Sequence, residues 1–380
     1  MAAFCAATLA LALPGGALAL DNGLGLLPPL GYNAYDHVGC CANESTMKAQ
    51  GQALLDSGLH ALGFTYVNMD CGWMGGRHPN GTIYESPTKF PAGMRALADW
   101  LHAKGLKLGV YSDRGTHDFS GNFGMKGHET GDANWMASVG VDYLKVDDMS
   151  GTPKTQAGAA ADYGKIRDAL NATGRPIFFS TCGHSPAGDK HEWAGPACGD
   201  LANACRISAD IRYWGNGTFG TAKAVNVMAS YNGSYSHAGS WPDPDLVFSA
   251  KPVGGDNEPT CKGAGKLAYC TGSFCDPGPN NAEAQLALWS ILGAPLLYSF
   301  DMQNLMTDPA MKKIYTNPEV IAVNQDADAS GRGSMGGRRV HGSDLPEAAE
   351  AGGLTVWVRS RTARSRCCSS TRATRSARRA

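Results

Sequence analysis

Apolar and polar positions along the chain follow two periods. Short apolar runs of extended character recur between longer stretches in which apolar residues return every three or four positions, the signatures of buried strands and amphipathic helices. The pattern predicts strands over residues 30–35, 64–70, 106–113, 141–148, 176–181, 206–211, 241–246 and 294–299. It predicts helices over 45–59, 91–103, 132–138, 156–171 and 282–292. The stretch Val141-Asp142-Tyr143-Leu144-Lys145-Val146-Asp147-Asp148 stands out, because an apolar strand there ends in acid. Strand side chains alternate, so Tyr143, Lys145 and Asp147 face one way and Leu144, Val146 and Asp148 the other. A lysine and a carboxylate on one buried face are costly unless paired or employed. A structural ion pair at a strand end and a functional site are both open readings at this point.

Strand followed by helix, repeated about eight times, predicts a parallel sheet with helical crossovers, and the length suits a (β/α)8 TIM barrel. Asp70, Asp113, Asp147, Asp148, Asp210 and Asp245 fall at the C-terminal ends of proposed strands. A barrel gathers those ends around one mouth, where barrel active sites lie. The rival, a doubly wound open sheet, lacks a Gly-x-Gly-x-x-Gly between strand and helix. The expected organisation is a leader over residues 1–19 and a catalytic barrel over 20–326. Residues 327–358 hold a further strand at 354–358. Residues 359–380 form a basic low-complexity tail of Arg, Ser, Thr, Ala and Cys that cannot build a core. That tail reads better as out-of-frame translation than as a polyanion-binding arm.

Composition narrows the function. A net charge of -1 gives no electrostatic case for nucleic acid or an anionic membrane. The apolar N-terminus, ending in Ala17-Leu18-Ala19, reads as an export signal, although a basic n-region is missing. No later stretch is apolar enough to span a bilayer. Twelve cysteines without C-x-x-C spacing fit disulfides rather than zinc. Sequons at Asn43, Asn80, Asn171, Asn216 and Asn232 fit the same secretory route, to the outside or to a vacuolar or lysosome-like compartment. Residues 254–281, rich in Gly and Pro and holding Cys261, Cys270 and Cys275, read as a long loop insertion.

Several acids at one mouth, with neither metal motif nor phosphate loop, point to carboxylate chemistry without a cofactor. Glycoside hydrolysis needs two carboxyl groups, one ionised to attack the anomeric carbon and one protonated to assist the leaving oxygen. It also needs an aromatic platform, for which Tyr35, Trp73, Tyr111 and Trp241 are candidates; each is as open to a packing role.

At these residues the chain resembles glycoside hydrolase family 27, the α-galactosidases (melibiases) and α-N-acetylgalactosaminidases. The resemblance runs from about residue 27 to 326. Pro28-Pro29-Leu30-Gly31-Tyr32-Asn33-Ala34-Tyr35 is similar to the family's opening P-P-M-G-W-N-S-W. Residues 106–113 resemble G-L-K-L-G-I-Y-S-D, and Asp142-Tyr143-Leu144-Lys145-Val146-Asp147 resembles D-Y-L-K-Y-D. Arg206-Ile207-Ser208-Ala209-Asp210-Ile211 and Trp241-Pro242-Asp243-Pro244-Asp245-Leu246 resemble R-x-x-x-D-I and W-N-D-P-D-M. Residues 289–298 and 317–326 look like the family's W-x-x-x-x-A-P-L and N-x-E-V-I-A-V-N-Q-D.

The resemblance implies a retaining α-galactosidase with Asp147 as nucleophile, Asp210 as acid/base and Asp148 as a structural acid, and it makes residues 327–358 the incomplete start of a C-terminal antiparallel β domain. It implies substrate contacts from Tyr35, Asp70, Tyr111, Lys145, Cys182, Arg206 and Asp245, the last as a sugar contact or a support behind one. The alternatives are an α-N-acetylgalactosaminidase and a non-catalytic galactose-binding barrel. Departures are equally specific. The family's D-D-C-W is here Asp70-Cys71-Gly72-Trp73, and its C-E-W, which reads the sugar's 2-position, is Cys182-Gly183-His184. Two family cysteines fall at Phe119 and Met149, while Cys40 or Cys41 is left to bridge to Cys71.

Overall fold

Near-continuous apolar runs suit strands covered on both faces, and they form one parallel sheet. The computed structural model describes residues 20, 22–149, 155–182, 194–212, 214, 220–249 and 278–326, with the residue pairs Arg338–Arg339 and Trp357–Val358. The leader, Gly183, His184, the sequon at Asn216, most of the 254–281 insertion and the 359–380 tail lie outside the described residues. The strands are β1 (Leu30–Asn33), β2 (Tyr66–Asn68), β3 (Lys107–Asp113), β4 (Tyr143–Asp147), β5 (Phe178–Cys182), β6 (Ala204–Arg206), β7 (Trp241–Asp243) and β8 (Leu296–Tyr298). Their order is β8-β1-β2-β3-β4-β5-β6-β7, with every pairing parallel. The two edges meet just past β7, where the Val247 N–H donates to the Leu297 carbonyl (2.9 Å) and the Ser299 N–H to the Val247 carbonyl (3.0 Å).

Among the described residues, the helices longer than about one turn are α1 (Glu44–Asp56), α2 (Met94–His102), α3 (Glu129–Val139), α4 (Gln156–Ala172), α5 (Ala194–Leu201), α6 (Thr221–Ser230), α7 (Gly278–Leu292), α8 (Pro309–Tyr315) and α9 (Pro318–Asn324). α2 buries Met94, Leu97, Ala98 and Leu101, a helical stripe turned to the sheet. Caps set the boundaries: Asn43 accepts the Thr46 N–H and Thr155 the Gly158 N–H, each filling an orphan donor of the first turn. Gly140, at φ 88°, ends α3 and lets the chain turn into β4.

The differences from expectation have local causes. Tyr35 leaves the first strand because the Asn33 side chain accepts the Tyr35 N–H (2.8 Å) and starts a one-turn helix, Tyr35–Val38. The sixth strand stops at Arg206, four residues before Asp210, because the Ile211 N–H is taken by the Asp245 carboxylate (2.7 Å) instead of a ladder carbonyl. The seventh stops at Asp243, whose side chain accepts the Asp245 N–H (2.8 Å) while Asp245 adopts φ 96°. α7 begins at Gly278, inside the residues read as a loop insertion. Pattern reading missed α5, whose AGPACGDL composition discourages a helix, together with α6, α8 and α9. It also missed the antiparallel hairpin Met74–Arg77 and Ile83–Glu85. The strand foreseen at 354–358 is present as Trp357–Val358, antiparallel to Arg338–Arg339.

Disulfides join Cys40 to Cys71 and Cys198 to Cys205, the latter tying α5 to β6. Inside the barrel, Tyr143 stacks on Phe178 (4.9 Å between centroids) and meets Tyr66, and Trp241, Leu246 and Leu297 complete this floor. Two platform candidates are thereby corrected to packing roles. Trp241 is fully buried in the floor and donates its Nε1–H to the Gly25 carbonyl (2.6 Å). Trp73, also fully buried, stacks on Trp135 and donates its Nε1–H to the Tyr111 carbonyl (2.7 Å).

Candidate active site

Above the aromatic floor, the same face of β4 presents Lys145 and then Asp147. Asp147 is held by two donors: the Tyr111 hydroxyl to Oδ2 (2.7 Å) and the Asp148 N–H to Oδ1 (2.9 Å). Such donors fix the plane of the carboxylate. The group is only 8% exposed, so a reactant reaches it only from the mouth. Asp148 points to the opposite face, as strand alternation requires, and pairs with Arg114 (2.8 Å).

Lys145 donates to Asp70 Oδ2 (2.8 Å), and Asn33 Nδ2 donates to the same oxygen (3.3 Å). Burial opposes the charge on Lys145, but Asp70 and, more weakly, Asp147 outweigh it and hold the ammonium well above its ordinary pKa. Its Nζ lies 5.5 Å from the Tyr111 ring centroid and 5.8 Å from that of Tyr35. Phe119 meets both tyrosine rings edge-on. Cys71 is occupied in the bridge to Cys40, and its N–H donates to Asp70 Oδ1 (3.1 Å).

At the end of β6, Arg206 bridges Asp245 (3.0 Å) and Asp210 (3.3 Å), both just past strand ends, and also donates to the Ser208 carbonyl. Burial works against this guanidinium, yet Asp245 first and Asp210 after it keep it charged far above neutrality. Asp210 remains partly exposed, with Arg212 at 3.9 Å, and so stays accessible to a reactant. Asp245 is buried behind Arg206 and spends its oxygens on Arg206, the Ile211 N–H and the Leu246 N–H. Cys182 is a buried thiol at the end of β5; burial raises its pKa, and the fields of Asp147, Arg206, Lys145 and Asp210 all reach it. One cluster thus contains Asp147, Tyr111, Lys145, Asp70, Tyr35, Cys182, Arg206 and Asp210, with Asp245 supporting it.

Sequence reading gave no role to Arg114, Asn33 or Asp243, and placed Asp113 only among the strand-end acids. Burial, and then the charge of Asp147, push Asp113 up to about 7. Burial pushes Asp243 up to about 6 against the opposing pull of Arg206. A carboxyl raised in the folded state contributes stability below its unfolded pKa and loses it as pH rises through the folded one. The unfolding free energy from urea titration should therefore fall between pH 5 and pH 8, by an amount on the order of a few kcal/mol. Asp243→Asn should show a shallower fall; an identical slope would exclude Asp243 as a source.

With this geometry in view, the family profile described as "Alpha galactosidase A" matches residues 33–258 and 268–326. A probable alpha-galactosidase of Dictyostelium discoideum is 35% identical over 329 residues, 86% of this chain and 74% of the relative. Alpha-galactosidase 2 of Arabidopsis thaliana is 36% identical over 81% of this chain and 69% of its own length. The crystal structure of alpha-galactosidase I from Mortierella vinacea superposes with a TM-score of 0.69 at 29% identity, covering 85% of this chain and 78% of that one.

Proposed function

The chain belongs to the alpha-galactosidase A family, and from that premise we propose that it removes terminal α-D-galactose from galactosides, oligosaccharides or glycoconjugates by double displacement. The observation that carries this reading is the Asp147 carboxylate held by Tyr111 and the Asp148 N–H beside Lys145, with accessible Asp210 on the Arg206 guanidinium. An Asp147 oxygen attacks the anomeric carbon as its bond to the leaving oxygen breaks, and Asp210 gives that oxygen its proton. Water then cleaves the glycosyl ester, returning its proton to Asp210 and freeing Asp147, so configuration is retained. Lys145, Asp70 and Arg206 present charged hydrogen-bond partners to the sugar hydroxyls, and Tyr35 and Tyr111 border the ring. Disulfides such as Cys40–Cys71 and Cys198–Cys205, with the apolar leader, favour an exported or vacuolar enzyme, because such bonds persist in oxidising compartments.

The test compares matched aryl α-galactosides and aryl α-N-acetylgalactosaminides, following the released sugar by NMR. The expected result is galactoside turnover with the α-anomer of galactose appearing first. A β-anomer appearing first would refute retention, and preference for the acetamido sugar would shift the substrate assignment. Galactose binding without turnover would leave a binding protein.

A further inference from the structure

We propose that Arg114 and Asp148 are positioning residues that set the angle of the nucleophile carboxylate, an inference that rests on the reading of Asp147 as nucleophile. β3 and β4 are paired as far as Asp113 and Asp147, and the Arg114 N–H still reaches the Asp147 carbonyl (3.0 Å). The guanidinium then carries the attachment onward. One nitrogen, Nη2, pairs with Asp148 (2.8 Å), while Nη1 pairs with Asp162 on α4 (2.6 Å) and the guanidinium lies 5.5 Å from the Tyr163 ring centroid. A second tie runs beside it: Asp113 accepts the Met149 N–H (2.7 Å) and the Gly115 N–H (2.6 Å). Residues 113–115 and 147–149 are thus clasped together.

The clasp acts through one peptide group. The Asp148 side chain points away from the mouth, but its N–H is the donor to Asp147 Oδ1. Fixing that side chain on Arg114 fixes the peptide plane, and the peptide plane fixes the carboxylate that must meet the anomeric carbon. Arg114 and Asp148 are almost wholly buried. An apolar substitute for buried ions is often as stable or more so, so stability alone is a weak reason for charges here. Geometry is a better one, since a reacting group misplaced by about 1 Å can cost about 100-fold in rate.

Asp148→Ala removes the held side chain while leaving Arg114 its second partner, Asp162. Asp148→Asn keeps an acceptor for Arg114 and serves as the conservative rescue. A fluorinated galactosyl fluoride that accumulates the glycosyl ester reports nucleophile geometry directly, with the ester located by peptide mass spectrometry. The parent should be labelled on Asp147. Asp148→Ala should be labelled about 10- to 100-fold more slowly, with KM for an aryl galactoside within about threefold of the parent and a folded melting curve. Asp148→Asn should recover most of the rate. Labelling of Asp148→Ala at the parental rate would overturn the clasp and leave the nucleophile intact. A parental ester on another residue would overturn both. If Asp148→Ala does not fold, Arg114→Lys, which cannot fork between Asp148 and Asp162, decides the matter: labelling at the parental rate would again overturn the clasp.

Discussion

Asp147→Asn should abolish turnover of aryl α-galactosides, by about 10⁴-fold or more, in a protein that folds as well as the parent. The amide has the shape of the carboxylate and can still accept the Asp148 N–H at one oxygen. It has no anionic oxygen to attack, so the covalent step is lost while the sugar's other contacts remain. Stability should hold or improve, because the change removes a charge that raises Asp113, as with other active-site groups kept at a cost to the fold. The stability loss between pH 5 and pH 8 should shrink in this variant for the same reason. Asp210→Asn should behave differently. General acid assistance contributes about 10²–10⁴-fold, and it matters in proportion to the basicity of the leaving oxygen. In kcat/KM, which reports the first step, the loss should be near the upper end for galactosyl disaccharides and small for a dinitrophenyl galactoside, whose leaving group departs without a proton; kcat on the latter still falls, because Asp210 also takes the proton from water. Equal losses on both substrates would place Asp210 in binding; parental turnover in either variant would sink the two-carboxylate assignment.

The strand order was legible because eight apolar runs needed cover on both faces, and acid at the ends of such runs breaks the rule that charge avoids a core. That anomaly marked Asp70, Asp147 and Asp148, and strand alternation separated the last two correctly: Tyr111 holds Asp147, while Arg114 holds Asp148. Strand ends were not legible. Side chains distant in sequence decide them, as when Asp245 captures the Ile211 N–H across 34 positions. The same limit hid Arg114, whose partner Asp162 lies 48 residues away on a helix. Trp241 and Trp73 show a second limit. Proximity to a strand does not say which end or face a ring occupies; Trp241 begins β7 and therefore lies in the floor, beneath the acids.

Arg77→Met should destabilise the fold by about 3–5 kcal/mol at neutral pH, the cost of breaking a buried ion pair. Arg77 is a fork: Nη1 and Nη2 donate to the two oxygens of Asp132 (2.5 and 2.6 Å), and they also reach the Gly81 and Gly124 carbonyls. The Asp132 side chain is fully buried on α3. Burial already raises its pKa, with Arg77 the main opposing influence. Without Arg77 the carboxyl must be buried charged or bind a proton, so the deficit should shrink as pH falls toward 4 and protonation becomes free. Asp132→Leu in the same chain should recover much of the loss, because the variant then buries no unpaired acid. The consequence reaches the site. Arg77 closes the hairpin that follows Trp73, Trp73 donates to the Tyr111 carbonyl, and the Tyr111 hydroxyl holds Asp147. Urea titrations at pH 7 and pH 4.5 separate the explanations: a deficit independent of pH would mean that lost packing, rather than the stranded carboxylate, weakens the fold.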